Sequence, residues 1–349
     1  MLSCIPDGSR QGDVSITIRP MRLALVLFFL CCVPAHAADK ELGAVVVTAQ
    51  RNPVDKSYRK MIRGMDLFEE KHALAPRAAL RYRVLPRNRA TKMQDVELTV
   101  AGDTVTLPID LEPDGTFTLE RDAKALAEDA SVQSNRRAGT MTWRTEIRSP
   151  GVPPGARRLG DLRLECEVGM EADLVSDVRS LFSNPTLRWM GFCSSRTSGY
   201  LFFTERPLFG VTLVAGARRE TLPVDDLYGG STRHPLSAEE LRRCDCEVLL
   251  DRSYFLPLGD KSWPDDTLVE FEYMYEGASL GKAKEELLAL LGEGNAVRFE
   301  SGYEVRVYRP GDGSEFVALI SPTGTLLKTR TLNATPEATT ARGPARSSG

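Results

Sequence analysis

Histidine is scarce in this 349-residue chain, which has three. His36 lies in the opening segment, leaving His72 and His234, both in polar surroundings. A histidine metal site or a Ser-His-Asp triad would have to be built on one of those two, and no G-x-S-x-G elbow accompanies either. The glycine fingerprints of P-loops and dinucleotide-binding turns are absent as well. The C-x2-C spacing of zinc ribbons is missing, because Cys244-Asp245-Cys246 is a C-x-C. Charge of one sign is not in excess: Lys+Arg 45 stand against Asp+Glu 48, a formal net charge of −3 without a basic cluster. That balance argues against nucleic acid as a partner. Long apolar runs are lacking too. The most apolar stretch, Leu23 to Val33, falls well short of the roughly 20 residues that a membrane-spanning helix needs. These absences leave an enzyme unsupported, and no catalytic residue, cofactor or metal is expected.

What is there begins with that same short stretch. Met21-Arg22 gives a basic start, Leu23 to Val33 an apolar middle, Pro34 a break, and Ala35 and Ala37 small residues around His36. This is the order of a secretory signal. Cleavage after Ala37 would leave Ala38 as the mature N-terminus, and translation from Met21 accounts best for residues 1–20, which suit no signal. Cys31 follows Leu30 and Cys32 follows Cys31, so neither has the small preceding residue of a lipoprotein signal. The expectation is a periplasmic protein with no lipid anchor and no transmembrane span. Its 42% hydrophobic and 27% charged residues are those of an ordinary globular chain.

Export changes how the cysteines are read. Four lie beyond the signal: Cys166, Cys193, Cys244 and Cys246. In an oxidising compartment an even set reads as disulfides. Partners two apart in a strand rarely bond each other, so Cys244 and Cys246 should each reach for Cys166 or Cys193. Cys193 to Cys246 is favoured over Cys166 to Cys193, because Cys246 begins an apolar strand and Cys193 follows the apolar Trp189 to Phe192.

Along the chain, Val45 to Arg51 (VVVTAQR) resembles the N-terminal energy-coupling box of TonB-dependent outer-membrane transporters. Those proteins need a plug and a barrel, far more chain than is present, so residues 38–54 read as an extended leader. From Asp55 the pattern turns helical: Tyr58, Ile62 and Met65 recur on one face, with Met61 and Phe68 widening it, to an end near Leu74 to Pro76. Period-two alternation then marks strands at Leu80–Val84, Val96–Val100, Leu107–Leu111 and Phe117–Leu119, the last pair joined by the turn Glu112-Pro113-Asp114-Gly115. A short helix over Ala123–Glu128, a strand through Met141, Trp143 and Ile147, and a clean strand at Leu162, Leu164, Cys166 and Val168 complete a helix-plus-β-sandwich-like domain over 55–170. Residues 171–270 read as a second β domain, with Tyr200–Phe203, a hairpin around Gly216, and short strands at Val248–Leu250 and Tyr254–Leu256.

Two pairs of acids invite a chemical reading, Asp225-Asp226 and Asp265-Asp266, the second beside Trp263. Paired carboxylates about 5 to 10 Å apart serve glycosidases, and an exposed tryptophan would stack on a sugar. Trp263, Asp265 and Asp266 are therefore the candidate contacts of an alternative function, binding or cutting glycan or peptidoglycan. Asp also favours turns through its own backbone bonds, which accounts for the same residues without chemistry.

The last segment, 271–332, holds the most organised pattern. Gly281 to Gly292 reads as an amphipathic helix with an apolar stripe of Leu287, Leu290 and Leu291, ended by glycine. Three strands follow, at Ala296–Tyr308 (interrupted at Ser301-Gly302), Glu315–Ile320 and Thr325–Leu332, with Phe299, Tyr303, Val305 and Val307 as the face for the helix to cover. Gly281, Glu286, Leu290, Gly292, Tyr303, Val305, Tyr308, Pro322 and Gly324 are the residues by which this segment resembles the SmpA/OmlA-type (BamE-like) module. The family often has Trp where Arg306 stands. The resemblance implies a small periplasm-facing domain that binds outer-membrane or other envelope proteins, with none of these residues catalytic. The fold expected is thus α+β, mostly β: antiparallel β-sandwich-like modules, then a small helix-plus-three-stranded-sheet module, then a disordered tail over 333–349. The function expected is that of a non-catalytic scaffold or adaptor.

Overall fold

Turn chemistry and alternation place most of the strands. The computed structural model describes residues 52–175, 192–194, 199–244, 247–275 and 279–332. The signal, residues 38–51 of the leader, Cys246 and the tail lie outside the described residues. Strand β1 (Pro53–Ser57) leads into α1 (Tyr58–Glu70), whose first turn is capped by the Ser57 hydroxyl accepting from the Lys60 N–H. The helix buries Tyr58, Met61 and Ile62. It stops before the expected end, and a single 3-10 turn over His72–Leu74 takes up the remainder.

Strands β2 (Ala79–Pro86), β3 (Leu98–Ala101), β4 (Thr106–Ile109) and β5 (Thr116–Phe117) follow, then the short α2 (Ala123–Ala127), β6 (Ser131–Arg137) and β7 (Met141–Arg148). They form two antiparallel sheets, ordered β1-β6-β3-β4 and β5-β2-β7. Gly115, at φ +78°, makes the turn into β5 that the Pro-Asp-Gly sequence calls for. The two sheets and α1 close over one apolar cluster, in which Tyr82 stacks on Phe117 at 5.3 Å between ring centres and Phe117 meets Trp143 edge-on at 6.4 Å.

The largest correction falls next. After β8 (Ala156–Arg158), the residues expected as a strand at Leu162–Val168 form α3 (Leu159–Glu171). Leu159, Leu162, Cys166 and Met170 face one apolar cluster, whereas Leu164 and Val168 face another. Each set has helical spacing, and the two interleave to imitate period two. A helix buried on nearly all sides carries no single apolar stripe. Its polar residues Asp161, Arg163 and Glu165 are buried as well and find partners inside: Ser149 donates to Asp161 through both its N–H and its hydroxyl, at 2.7 Å each. Helix α1 packs closely on α3, and a Cβ at Gly64 would lie 2.8 Å from that of Ala172.

The second region contributes β9 (Phe202–Phe203), the hairpin of β10 (Leu208–Ala215) and β11 (Arg218–Thr221), the six-residue α4 (Ala238–Arg243), β12 (Ser253–Tyr254) and β13 (Leu268–Tyr273). The hairpin turns at Gly216, as expected. Helix α4 was not expected, although Ser237 and Glu240 form a full capping box. The strand expected at Val248–Leu250 is instead loop running into a 3-10 turn at Leu250–Arg252. Sheet order here is β11-β10-β13-β8, with β12-β9 as a separate pair.

The C-terminal segment forms β14 (Lys282–Ala283), α5 (Lys284–Leu291), β15 (Asn295–Arg298), β16 (Glu304–Tyr308), β17 (Glu315–Ile320) and β18 (Thr325–Leu332). The sheet has five strands, not three, in the order β14-β18-β17-β16-β15. The Ser301-Gly302 interruption turns the chain back, and Gly302 has φ +82° there. Nor does the helix cover the expected face. Val297, Phe299, Val305, Val307, Val317 and Leu319 join the central cluster with α3, β10 and β13, while Leu287 packs on the other side with Tyr308, Ala318, Ile320 and Leu326. Strand parity requires this, because Val305 and Val307 point away from Tyr308. Leu290 is left 81% exposed.

Among the described residues the structure is mostly β, built of several antiparallel sheets with no barrel. The central cluster draws on residues from both sides of residue 270, so the second region and the C-terminal sheet share a core. No helix among the described residues is long and apolar enough to cross a membrane.

Cys166 on α3 is bonded to Cys193, with Cα atoms 5.9 Å apart. This overturns the preference for Cys193 to Cys246. It also rules out Cys166 and Cys193 as partners of Cys244, which is itself disulfide-bonded. The pairing follows from the helix: Cys166 sits on the α3 face that meets the central cluster, where Cys193 is also buried.

Candidate functional site

A β-strand with one face in a core turns its other face to solvent or to another part of the chain. In β7 the core face carries Met141, Trp143 and Ile147, and the opposite face carries Arg144, Glu146 and Arg148. Strand β2 runs antiparallel beside it, with Arg83 opposite Arg144 and Arg81 opposite Glu146, so these side chains share one face. The Tyr200–Thr204 segment lies over that face. The Arg144 guanidinium donates to the Leu201 carbonyl at 2.9 Å and sits 4.7 Å from the centre of the Phe203 ring. Chain passage at this point depends on Gly169 of α3, where any side chain would run into the Tyr200 hydroxyl.

Between these elements is a cavity of about 230 Å³, adjoined by a second of about 400 Å³. Arg148, Arg157, Phe203, Thr204 and Glu205 line both. The walls of the two together contain six arginines (Arg83, Arg144, Arg148, Arg157, Arg206 and Arg252) and three glutamates (Glu146, Glu165 and Glu205). Positive charge therefore predominates locally in a chain of net charge −3.

The glutamates hold the arginines in place. Glu146 accepts a forked pair of bonds from Arg83 and one from Arg148 at 2.8 Å. Arg148 also reaches Glu205 at 2.9 Å. Deepest is Arg157, on β8, which donates one nitrogen to Glu165 at 2.7 Å and to the Ile147 carbonyl at 2.8 Å. Burial works against the Arg157 charge, but the Glu165 carboxylate beside it prevails and raises its pKa. Burial alone would push the Glu146 carboxyl up, yet the Arg83 bonds and the charge of Arg148 bring it below its ordinary value. Arg206 stacks on Tyr273, 3.8 Å from the ring centre.

Two buried donors of residues that line the larger cavity have no hydrogen-bond partner, Arg157 Nε and Tyr254 Oη, and Arg252 Nε beside the smaller cavity has none either. Tyr254 is fully buried, stacked on Phe202 at 5.5 Å, and burial raises its phenol pKa, so the hydroxyl stays protonated and able to donate. Leaving a buried donor unmet costs about 1–3 kcal/mol. Both belong to residues that line the larger cavity, and an acceptor brought to them there would offset that cost.

No family model, curated protein or solved structure matches this chain.

The residues singled out by sequence lie elsewhere, most of them held in structural contacts. Trp263 is buried, 1% exposed, with the Arg218 guanidinium 3.5 Å from its ring centre. Asp265 pairs with the buried Arg163, which also donates to the Trp263 carbonyl at 3.0 Å. Asp266 is exposed. Trp263 offers no open ring face to a sugar, so these three do not assemble a glycan cleft. Asp225 is bound by Thr232, Arg233 and Arg309. His72 meets the Ala78 carbonyl at 3.1 Å, and His234 is exposed. Cys244 is buried among Leu201 and Phe255. No group of three His, Cys, Asp or Glu suited to a metal ion occurs among the described residues. The arginine cavity was missed because its residues read as the wet faces of two strands. Its one sequence signal is the placing of Arg81, Arg83, Arg144 and Arg148 on the polar sides of the strands at Leu80 and Met141.

Proposed function

We propose that the protein is an exported, non-catalytic binding protein of the cell envelope, and that the arginine-lined cavity is its binding site for an anionic group. The carrying observation is the two unmet buried donors of the larger cavity's lining, Arg157 Nε and Tyr254 Oη, in a combined wall where arginine outnumbers glutamate six to three. The Leu23–Val33 signal pattern and the Cys166–Cys193 disulfide support the compartment, since such bonds persist in oxidising surroundings. The test has two parts. N-terminal sequencing of the protein recovered from periplasm is expected to begin at Ala38; retention of Leu23 to Val33 would sink the export reading. Thermal unfolding at fixed ionic strength is expected to shift upward when acetate or phosphate replaces chloride. No shift with any anion would overturn the binding reading.

A scaffold role toward outer-membrane or other envelope proteins is the second reading, drawn from the SmpA/OmlA-like order of elements at the C-terminus. The observation that favours it is the exposure of Tyr275, Leu280, Leu290 and Leu291, at 51%, 51%, 81% and 47%. Large apolar side chains left exposed are candidates for contact with a partner. Crosslinking in intact cells, followed by mass spectrometry, is expected to recover envelope proteins; recovery of peptidoglycan fragments would favour the glycan alternative.

A further inference from the structure

We propose that the ligand of this cavity is a small amphipathic monocarboxylate, its carboxylate held by Arg157 Nε and Tyr254 Oη and its apolar body lying against Leu85, Leu201, Phe203 and Leu249. This rests on the anion-binding reading above and names the class of anion.

The head follows from counting donors. A carboxylate presents two oxygens in one plane and suits a small number of converging N–H and O–H groups. The lining of the larger cavity supplies two unmet ones, the Arg157 Nε–H and the Tyr254 O–H, while the third, Arg252 Nε, belongs to the smaller cavity; the other Arg157 nitrogen that the structure bonds is already given to Glu165 and Ile147. A phosphate would bring a third oxygen and up to a second charge into a wall whose arginines Arg83 and Arg148 are already engaged by glutamate. The body follows from the second half of the space. The cavity of about 400 Å³ holds Arg157, Tyr254 and Arg206, whereas the cavity of about 230 Å³ is walled by Leu85, Leu201, Phe203 and Leu249 beside its arginines. Arg157 and Phe203 border both, so one molecule placed across that border meets charge at one end and apolar surface at the other. Taken together the two cavities fall in the size range of small-molecule sites, about 300–1,000 Å³, with the apolar surface gathered in the smaller one.

Isothermal titration of the full-length mature protein with octanoate, acetate, octanol and inorganic phosphate tests the proposal. Octanoate is expected to bind at least about a hundredfold tighter than acetate, with octanol and phosphate weaker than octanoate by a similar margin. Tyr254→Phe removes a buried hydroxyl that has no partner in the folded protein, so it should raise the unfolding midpoint of the unliganded protein while weakening octanoate about tenfold. Phe203→Ala should weaken octanoate and leave acetate alone. A peptide ending in a free C-terminal phenylalanine, run beside its amide, separates a protein-borne carboxylate from a free acid; tighter binding of the peptide than of octanoate would overturn the small-molecule assignment. Equal affinity for acetate and octanoate, or phosphate as the best ligand, would overturn the amphipathic carboxylate and leave the anion site standing. Absence of binding by every anion would overturn both.

Discussion

Replacing both Cys166 and Cys193 with alanine is expected to lower the unfolding free energy by about 3.5 kcal/mol, the entropy that closing a loop of this length withdraws from the unfolded chain. The bond joins residues 27 apart in sequence, and the chain-entropy relation gives about 12 cal/mol/K for that length. Both cysteines are buried in the central cluster, so losing two sulfur atoms adds a packing cost, on the order of 1 kcal/mol. Urea unfolding followed by tryptophan fluorescence is a suitable assay, because Trp143 and Trp263 are both buried. With a urea slope of about 2–3 kcal/mol per molar, the midpoint should fall by more than about 1 M. The bond also bears on the site, since Cys193 is tied to α3 just ahead of the Tyr200–Phe203 wall. Octanoate affinity should therefore fall in the same variant. A loss of stability below about 1 kcal/mol would refute the reasoning, because the loop would then not be the constraint that the chain-entropy account requires.

Glu165→Ala should cost about 3–5 kcal/mol in the same assay, because it strands a buried guanidinium and the Ile147 N–H. Adding Arg157→Met to Glu165→Leu should recover most of that loss while abolishing anion binding; a double variant no more stable than Glu165→Ala would contradict this. Stability should also decline in acid through Glu146. Its folded pKa lies below the ordinary 4.5, so the unfolded chain binds the proton first; the contribution is full above 4.5 and is lost as pH falls through the folded value. Midpoints at pH 6 and pH 3 should differ less in Arg83→Ala than in the parent. Leu287→Ala should cost about 2–5 kcal/mol, since it opens the contact between α5 and its sheet, whereas Leu290→Ala should change stability by less than about 0.5 kcal/mol. Equal effects at the two leucines would show that the helix lies on its sheet differently.

What the sequence by itself determined about this protein is local. Ser57 and the spacing of Tyr58, Met61 and Ile62 suffice for α1, because capping and periodicity act within a few turns. Pro113-Asp114-Gly115, Gly216 and Gly292 set turns and a helix end through backbone conformations that few other residues tolerate. The strands around Leu80 and Met141 follow from alternation, and the one at Glu315–Ile320 from a short apolar run between turn residues. The tertiary structure decided the rest. Helix α3 wears two interleaved stripes because it is covered on opposite sides, and only the covering elements distinguish that pattern from a strand. The polar faces of β2 and β7 would look the same if they met water. It is the Tyr200–Thr204 segment, remote in sequence, that encloses Arg144, Glu146 and Arg148 and makes a cavity of them. The cysteine pairing rests on the same ground. Sequence counts the thiols, but a disulfide needs two Cα atoms within about 7 Å, and the packing of α3 into the central cluster gave that proximity to Cys166 and Cys193.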